Sequence, residues 1–294
     1  MIDALTRVWV LPLWTGPVEP KPMTGGLSNL SFFVEDAGRK YVVRFGRDYP
    51  FHHVFRAREL MVARAAHRAG FGPEIVHTGP GVMVGSYVEA VTCSGAAVRA
   101  NIGRVADILR RFHETMPRHI SGAGFMYWPF HVIRDYARTL KAGEHRLADR
   151  LAGFVELGNE MERAQVPLPV VFGHNDLMPE NILDDGERLW FIDYEYAGFT
   201  TPLSDLANLA GNADFSDAES RELLSAYFGA PPAPEISRSY DAMLCAATLR
   251  EAMWGMVSEL HIDMQDVDFE SYTANNLARF DAALDRYRTR HGND

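Results

Sequence analysis

Asp176, Asn181, Asp193 and Glu195 crowd into the stretch VVFGHNDLMPENILDDGERLWFIDYEYAG, residues 170–198. Carboxylates that solvate a helix recur every three or four residues with Lys or Arg among them. These do not, and the apolar runs beside them read as strands. A strand at 170–172 ends in Gly173 and delivers His174, Asn175 and Asp176 to a loop. A hairpin in ILDDGERLWFID, with Asp185 and Gly186 at its turn, carries Asp193 to a second strand end. The carboxamide oxygen of Asn181 and the carboxylate of Asp193 suit a small hard cation such as magnesium. Asp176 is then left to accept a proton. A base that positions an attacking hydroxyl, with an Asn and an Asp that hold magnesium against nucleotide phosphates, is the equipment of phosphoryl transfer. His174 is expected to hold the loop through a backbone hydrogen bond.

Such loops need a scaffold on both sides. Upstream, NLSFFVEDAGRKYVVRF gives β-rich runs at 30–34 and 41–45 around a polar turn with Gly38. VFRARELMVARAAHRAG, rich in Ala and Arg and closed by Gly70, reads as a helix. EIVHTG and GVMVGSYVE read as two further strands. Downstream of TCSGAA the pattern turns helical: Ile102, Val105, Leu109 and Phe112 share one face, and IRDYARTLKAGEHRLADRLAGFVELGNEMERA reads as a long helical region. Helices resume near Ser204 and run to the end. The expected architecture is α+β: a small β-rich lobe over 1–90 and a larger, mainly helical lobe over 91–294, with the acidic stretch where they face each other.

Composition narrows the function. The chain has 294 residues, 47% hydrophobic and 23% charged, which is ordinary for a globular protein. A net charge of -10, with basic residues dispersed among acids, argues against a nucleic-acid partner and mildly favours a cationic ligand. Cys93 and Cys245 suggest neither a disulfide framework nor a zinc site, so a reducing cytoplasm is the expected compartment. The segment MIDALTRVWVLPLW, with Asp3, Arg7 and Pro12, reads as neither signal peptide nor membrane span, and no membrane insertion is expected. Oligomeric state is left open, a dimer included.

The spacing Asp176-x4-Asn181 is similar to the H-R-D-x4-N catalytic loop of protein kinases, and FIDYE stands where those enzymes have D-F-G. HNDLMPENIL followed by FIDYEYAG resembles the choline and ethanolamine kinases, relatives of the aminoglycoside phosphotransferases with a bilobal protein-kinase-like fold. The resemblance implies ATP as phosphoryl donor, magnesium as cofactor and a small cationic alcohol as acceptor. It places Gly25, Gly26, Ser28 and Asn29 in the nucleotide loop, Arg44 on the third strand, Glu59 as its partner and Ser86, Tyr87, Val88 and Glu89 at the adenine-binding hinge. An arginine at 44, where protein kinases have lysine, keeps its charge and offers a planar fork to phosphate.

Ammonium groups are recognised by aromatic faces and carboxylates. Tyr196, Trp254 and Tyr272 are the aromatic candidates, and Glu195 and Asp205 the acidic ones. Glu195 follows Asp193 by two and so points to the same side of a strand, while Asp205 also fits the capping of the helix beginning near Ser204. Where choline kinases often carry W-G-x-W-S, this chain reads Trp254-Gly255-Met256-Val257-Ser258. The leading expectation is a kinase for choline or ethanolamine. An aminoglycoside or other small alcohol is the alternative acceptor; a silent kinase-like binding module and a metal-dependent hydrolase built on His174 are the alternative classes. The pair His52-His53 is expected in solvent, and the aromatic cluster at 125–130 in packing.

Overall fold

The computed structural model describes residues 2–23, 29–264 and 267–292, so Gly25, Gly26 and Ser28 lie outside the described residues. Chain order begins with α1 (Ile2–Trp9), β1 (Lys21–Met23), β2 (Asn29–Asp36), β3 (Arg39–Gly46), α2 (Arg56–Arg68), β4 (Ile75–Gly79) and β5 (Val82–Ser86). The five strands form one antiparallel sheet in the order β1-β2-β3-β5-β4. Alternation along β2 and β3 turns Phe32, Val34, Val43 and Phe45 to one face, where Ala4 and Val8 of α1 cover them. Neither α1 nor β1 is legible in the sequence: the first is short and the second is three exposed residues without alternation.

The small lobe does not own all its apolar residues. Val62, Ala65 and Ala66 of α2, with Phe71 beyond it, belong to the core of the larger lobe. Phe71 meets Phe112 edge-on at 5.2 Å between ring centroids. The crossing between lobes runs from Ser86 to β6 (Val91–Thr92), which already pairs with a strand of the second lobe.

The second lobe continues with α3 (Gly95–Ala100), α4 (Ile102–Thr115), α5 (Pro129–Ala142), α6 (Leu151–Arg163), β7 (Val171–Gly173), β8 (Ile182–Asp184), β9 (Leu189–Phe191), β10 (Gly198–Thr200), α7 (Pro202–Asn212), α8 (Asp217–Phe228), α9 (Pro234–His261) and α10 (Phe269–His291). On α4 the predicted face, Ile102, Val105, Leu109 and Phe112, is buried. The long helical region at 132–164 is instead two helices. Glu144 takes a left-handed backbone (φ 50°) just after Gly143, which breaks the hydrogen-bond ladder between α5 and α6. The middle of α9 is apolar on every side because it is surrounded, with Ala242, Met243, Cys245, Ala246 and Leu249 through Val257 nearly solvent-free apart from the half-buried Glu251. Gly255 lets α10 come close: a Cβ there would lie 2.7 Å from Thr273 Oγ1 and 2.9 Å from Tyr272 Cδ1. No helix among the described residues is long and apolar enough to cross a membrane.

The histidine pair corrects the sequence expectation. His52 is 2% exposed, with Nδ1 3.1 Å from the Tyr136 hydroxyl and Nε2 3.0 Å from Ser258 Oγ, and its ring stacks on Trp254 at 4.8 Å. His53 is half-buried and pairs with Asp135 at 2.7 Å. Their partners sit on α5 and α9, too distant in sequence to leave a local sign. The 125–130 cluster is mixed: Phe130 is core and Met126 is exposed, while Tyr127 N donates to Phe199 O at 2.7 Å and Phe199 N to Phe125 O at 2.6 Å.

Candidate active site

The loop carrying Asp176 leaves β7, which pairs antiparallel with β10 through Gly173 and Gly198. Asp205, in the first turn of α7, reaches up beneath it without any exposed surface. Its carboxylate accepts from His174 N at 2.7 Å, Asn175 N at 2.6 Å and His113 Nε2 at 2.8 Å. Glycine is required at 173 for this approach: a Cβ would stand 3.0 Å from Asp205 Oδ2 and 2.6 Å from Thr200 Cγ2. Asn175 is left-handed (φ 63°); its carboxamide nitrogen donates to Tyr196 O and Gly198 O, each at 3.2 Å, and Ser204 Oγ donates to its oxygen. Strain of about 1–3 kcal/mol at such a residue persists only where surrounding bonds over-determine it. His174 Nε2 donates to Ile192 O at 2.8 Å, tying the loop to the chain just before Asp193.

Asp205 is therefore no acceptor ligand and no helix cap. The helix cap position is Thr201, and the Asp205 carboxylate is filled by three donors of the loop and α4. His113, which supports it, carries no sequence signal beyond lying on the buried face of α4.

Asp193 lies just past the end of β9, where the hairpin was expected to deliver it, but in a left-handed loop position (φ 65°), so the strand alternation expected to aim Glu195 beside it does not apply. Arg44 bridges Asp193 Oδ1 at 2.8 Å and Glu59 Oε1 at 2.9 Å. Burial works against the guanidinium charge, but Asp193 and Glu59 outweigh it and hold the Arg44 pKa above its ordinary value. Arg56, unmarked in the sequence, extends the network to Glu59 at 2.6 Å and Glu195 at 2.8 Å. Glu195 is thus turned to the side of Arg44 and Glu59. A cavity of about 240 Å³ opens here, lined by Asn29, Arg44, Gly46, Arg56, Glu59 and Met83.

Asn181 Nδ2 donates to Asp176 O at 2.9 Å, which directs its carboxamide oxygen elsewhere. One carboxamide and one carboxylate are too few for a protein-only cage. They fit magnesium, which keeps water and takes phosphate oxygens as further ligands. Among the described residues no three His, Cys, Asp or Glu side chains gather as a metal cage. His174, sealed and bonded to a carbonyl, is no hydrolase ligand. At the hinge, Ser86 N donates to Glu74 O at 2.8 Å and Tyr87 N to Lys40 O at 2.9 Å, and the Glu89 carboxylate is held by Lys40.

Within electrostatic reach of Asp176 stands an aromatic cluster. Trp254 Nε1 donates to the Tyr196 hydroxyl at 2.9 Å, and the Trp254 and Tyr272 rings lie 5.5 Å apart. The structure brings these three together as the sequence reading placed them, but without Glu195 or Asp205. Their place is taken by Arg250 and Glu251, which pair at 3.0 Å, with the Tyr272 hydroxyl donating to Glu251. Neither stands out in the sequence, because adjacent opposite charges on a helix ordinarily point to solvent. Burial pushes the Asp176 carboxyl well above the usual carboxylate range; Arg250 opposes, while Glu251, Glu195 and Asp193 add to the rise.

Comparison with known proteins places this geometry. The model of the phosphotransferase enzyme family matches residues 19–240. A choline/ethanolamine kinase family protein from Mesorhizobium loti superposes with a TM-score of 0.76 at 30% identity, covering 96% of this chain and 94% of that one. The choline kinase LicA from Streptococcus pneumoniae shares the fold at a TM-score of 0.78 and 22% identity, covering 98% and 99%. Among curated sequences, the protein LicA of Haemophilus influenzae is 26% identical over 71% of this chain and 62% of its own length, and a probable ethanolamine kinase of Arabidopsis thaliana is 25% identical over 84% and 74%. The family model over most of the chain and the shared bilobal fold agree: the chain belongs to the superfamily that joins the aminoglycoside phosphotransferases with the choline and ethanolamine kinases.

Proposed function

We propose that the protein transfers the terminal phosphoryl group of ATP to the hydroxyl of a small amino alcohol, with choline and ethanolamine as the reference acceptors. The observation that carries this reading is the position of Asp176. Its half-buried carboxylate lies within electrostatic reach of both Asp193, on the Arg44 side, and Glu251, on the aromatic side. A hydroxyl there would give its proton to Asp176 while its oxygen bonds to the terminal phosphorus. The bond from that phosphorus to the bridging oxygen breaks, and ADP leaves with the electron pair. The raised proton affinity of Asp176 suits this role.

Gly25, Gly26, Ser28 and Asn29 are assigned to the phosphates with Arg44, which Glu59 orients. Ser86 to Glu89 are assigned to adenine; with the amides of Ser86 and Tyr87 engaged, Val88 and Glu89 are left to meet its edge. Asn181 and Asp193 would hold magnesium, which when bound neutralises charge on the phosphates. Trp254, Tyr196 and Tyr272 are assigned to the acceptor side with Glu251. The test is ADP release across a panel of amino alcohols and aminoglycosides. Magnesium-dependent ADP formation that requires an amino alcohol is the expected result. ATP binding with no acceptor-dependent ADP formation from any alcohol would overturn the reading.

A further inference from the structure

The aromatic cluster beside Asp176 already contains a cation, and it belongs to this chain. Arg250 is 2% exposed, and its Cζ lies 5.6 Å from the centroid of the Tyr196 ring. Its charge reaches Glu251, Tyr127, Asp176 and Tyr136. Among the described residues its guanidinium makes one ion pair, to Glu251 at 3.0 Å, and no side-chain hydrogen bond. A guanidinium carries five N–H donors in a planar fork, and leaving them without acceptors in a buried site is unfavourable. Nor is the pair sealed: Arg250 keeps 3% of its side-chain surface and Glu251 16%.

We propose that Arg250 is a specificity-determining residue that selects an acceptor carrying a carboxylate as well as its ammonium and hydroxyl, that is, a hydroxylated amino acid rather than a bare cationic alcohol. The proposal rests on the amino-alcohol kinase reading above and narrows its substrate class. The fork of Arg250 matches a carboxylate through two parallel hydrogen bonds. The ammonium of the same molecule meets Glu251, whose oxygens accept from Tyr272 and face Arg250 but keep further lone pairs. The hydroxyl falls to Asp176. Choline or ethanolamine would satisfy Glu251 while setting a second positive charge near Arg250 and leaving its fork empty; the Tyr196 ring, which would otherwise attract that charge, is turned to the guanidinium.

The experiment compares kcat/KM of the wild-type protein with L-serine, L-homoserine, ethanolamine and choline at saturating magnesium-ATP. A hydroxy-amino acid preferred at least tenfold over ethanolamine and choline is the expected result. Arg250→Met should reverse the order, lowering kcat/KM for the amino acid about 10- to 100-fold more than for ethanolamine, in line with the loss of charge-assisted hydrogen bonds. KM for ATP should move less than threefold. Arg250→Lys, which keeps the charge and loses the fork, serves where Arg250→Met does not fold, and should show the same reversal in smaller degree. Preference of the wild type for ethanolamine or choline overturns the proposal and leaves the amino-alcohol kinase standing. Absence of ADP formation with all four and with every other alcohol overturns both.

Discussion

At the scale of single residues, Asp176 and Asp193 are both acidic and both near Arg44 or Arg250, yet their environments drive them apart. Burial opposes the charge on Asp193, but Arg44 beside it holds its pKa below the ordinary value, the direction that suits the metal ligand proposed above. Asp176 goes the other way, the direction that suits the proposed proton acceptor. Asp176→Asn should therefore lower turnover by about 10²- to 10⁴-fold while ATP affinity, followed by titration calorimetry, changes little. Near-normal turnover would remove Asp176 from the chemistry. Asp193→Ala should instead weaken magnesium-ATP binding together with turnover, and unchanged metal-nucleotide affinity would count against its role. The pH profile separates them further. A base works deprotonated, so kcat/KM should rise with pH along a limb lying above the ordinary aspartate value of about 3.9. Glu251 contributes to the elevation, so Glu251→Gln should move that limb to lower pH. A limb that stays put or moves up would mean that another group titrates there.

At the scale of elements, the site depends on a few contacts that let short strands and loops stand without long ladders. β7, β8, β9 and β10 have three residues each, and what fixes the segment between them is Asp205 beneath the turn at 174–175. Asp205→Ala would leave His113 and two buried amides without their acceptor. A loss of roughly 3–5 kcal/mol is expected in urea unfolding, with turnover reduced because Asp176 follows the anchored amides directly. A loss under about 1 kcal/mol would show that the loop is held by other means. This element-level logic explains what the sequence disclosed. Asp176, Asn181 and the hairpin with Asp185 and Gly186 announce themselves because loop, turn and strand are local. Asp205 was visible as an acid but not as an anchor, since the bonds that define it come from residues 30 and 31 positions earlier in the chain and from His113, 92 positions earlier. The left-handed turns at Asn175 and Asp193 are tied to distant partners in the same way, Asn175 to Asp205 and Tyr196 and Asp193 to Arg44.

At the scale of the whole molecule, the two lobes are joined by contacts that span most of the chain. Arg58 donates to Glu195 O across 137 positions, and His52 meets Ser258 across 206. No window of sequence could display such pairs, which is why His52 reads as a surface residue and is a junction. It leaves β3 in a short turn and contacts α5 through Tyr136 and α9 through Ser258 and Trp254. Ser258 Oγ already donates to Trp254 O at 2.9 Å, so His52 must donate from Nε2 and accept from the Tyr136 hydroxyl at Nδ1. A second proton would fall on Nδ1, against that hydroxyl and in a buried site. Burial accordingly lowers the His52 pKa well below its ordinary value, and the nearby Arg250 guanidinium lowers it further. The sign of the linkage follows: below about pH 6.5 the unfolded chain takes up a proton that the folded chain refuses, so stability contributed by neutral His52 is full above that pH and falls as pH drops. The slope approaches about 1.4 kcal/mol per pH unit until the folded pKa is reached. His174, also buried and lowered, acts in the same direction, so the contribution of His52 is read as a difference. His52→Gln keeps one donor and one acceptor without a titrating proton. Urea unfolding of both proteins at pH 7, 6 and 5 should show the wild type losing stability more steeply than His52→Gln. Parallel slopes would mean that the folded junction accepts the proton as readily as the unfolded chain does, and that the interlobe contact is not a closed, neutral one.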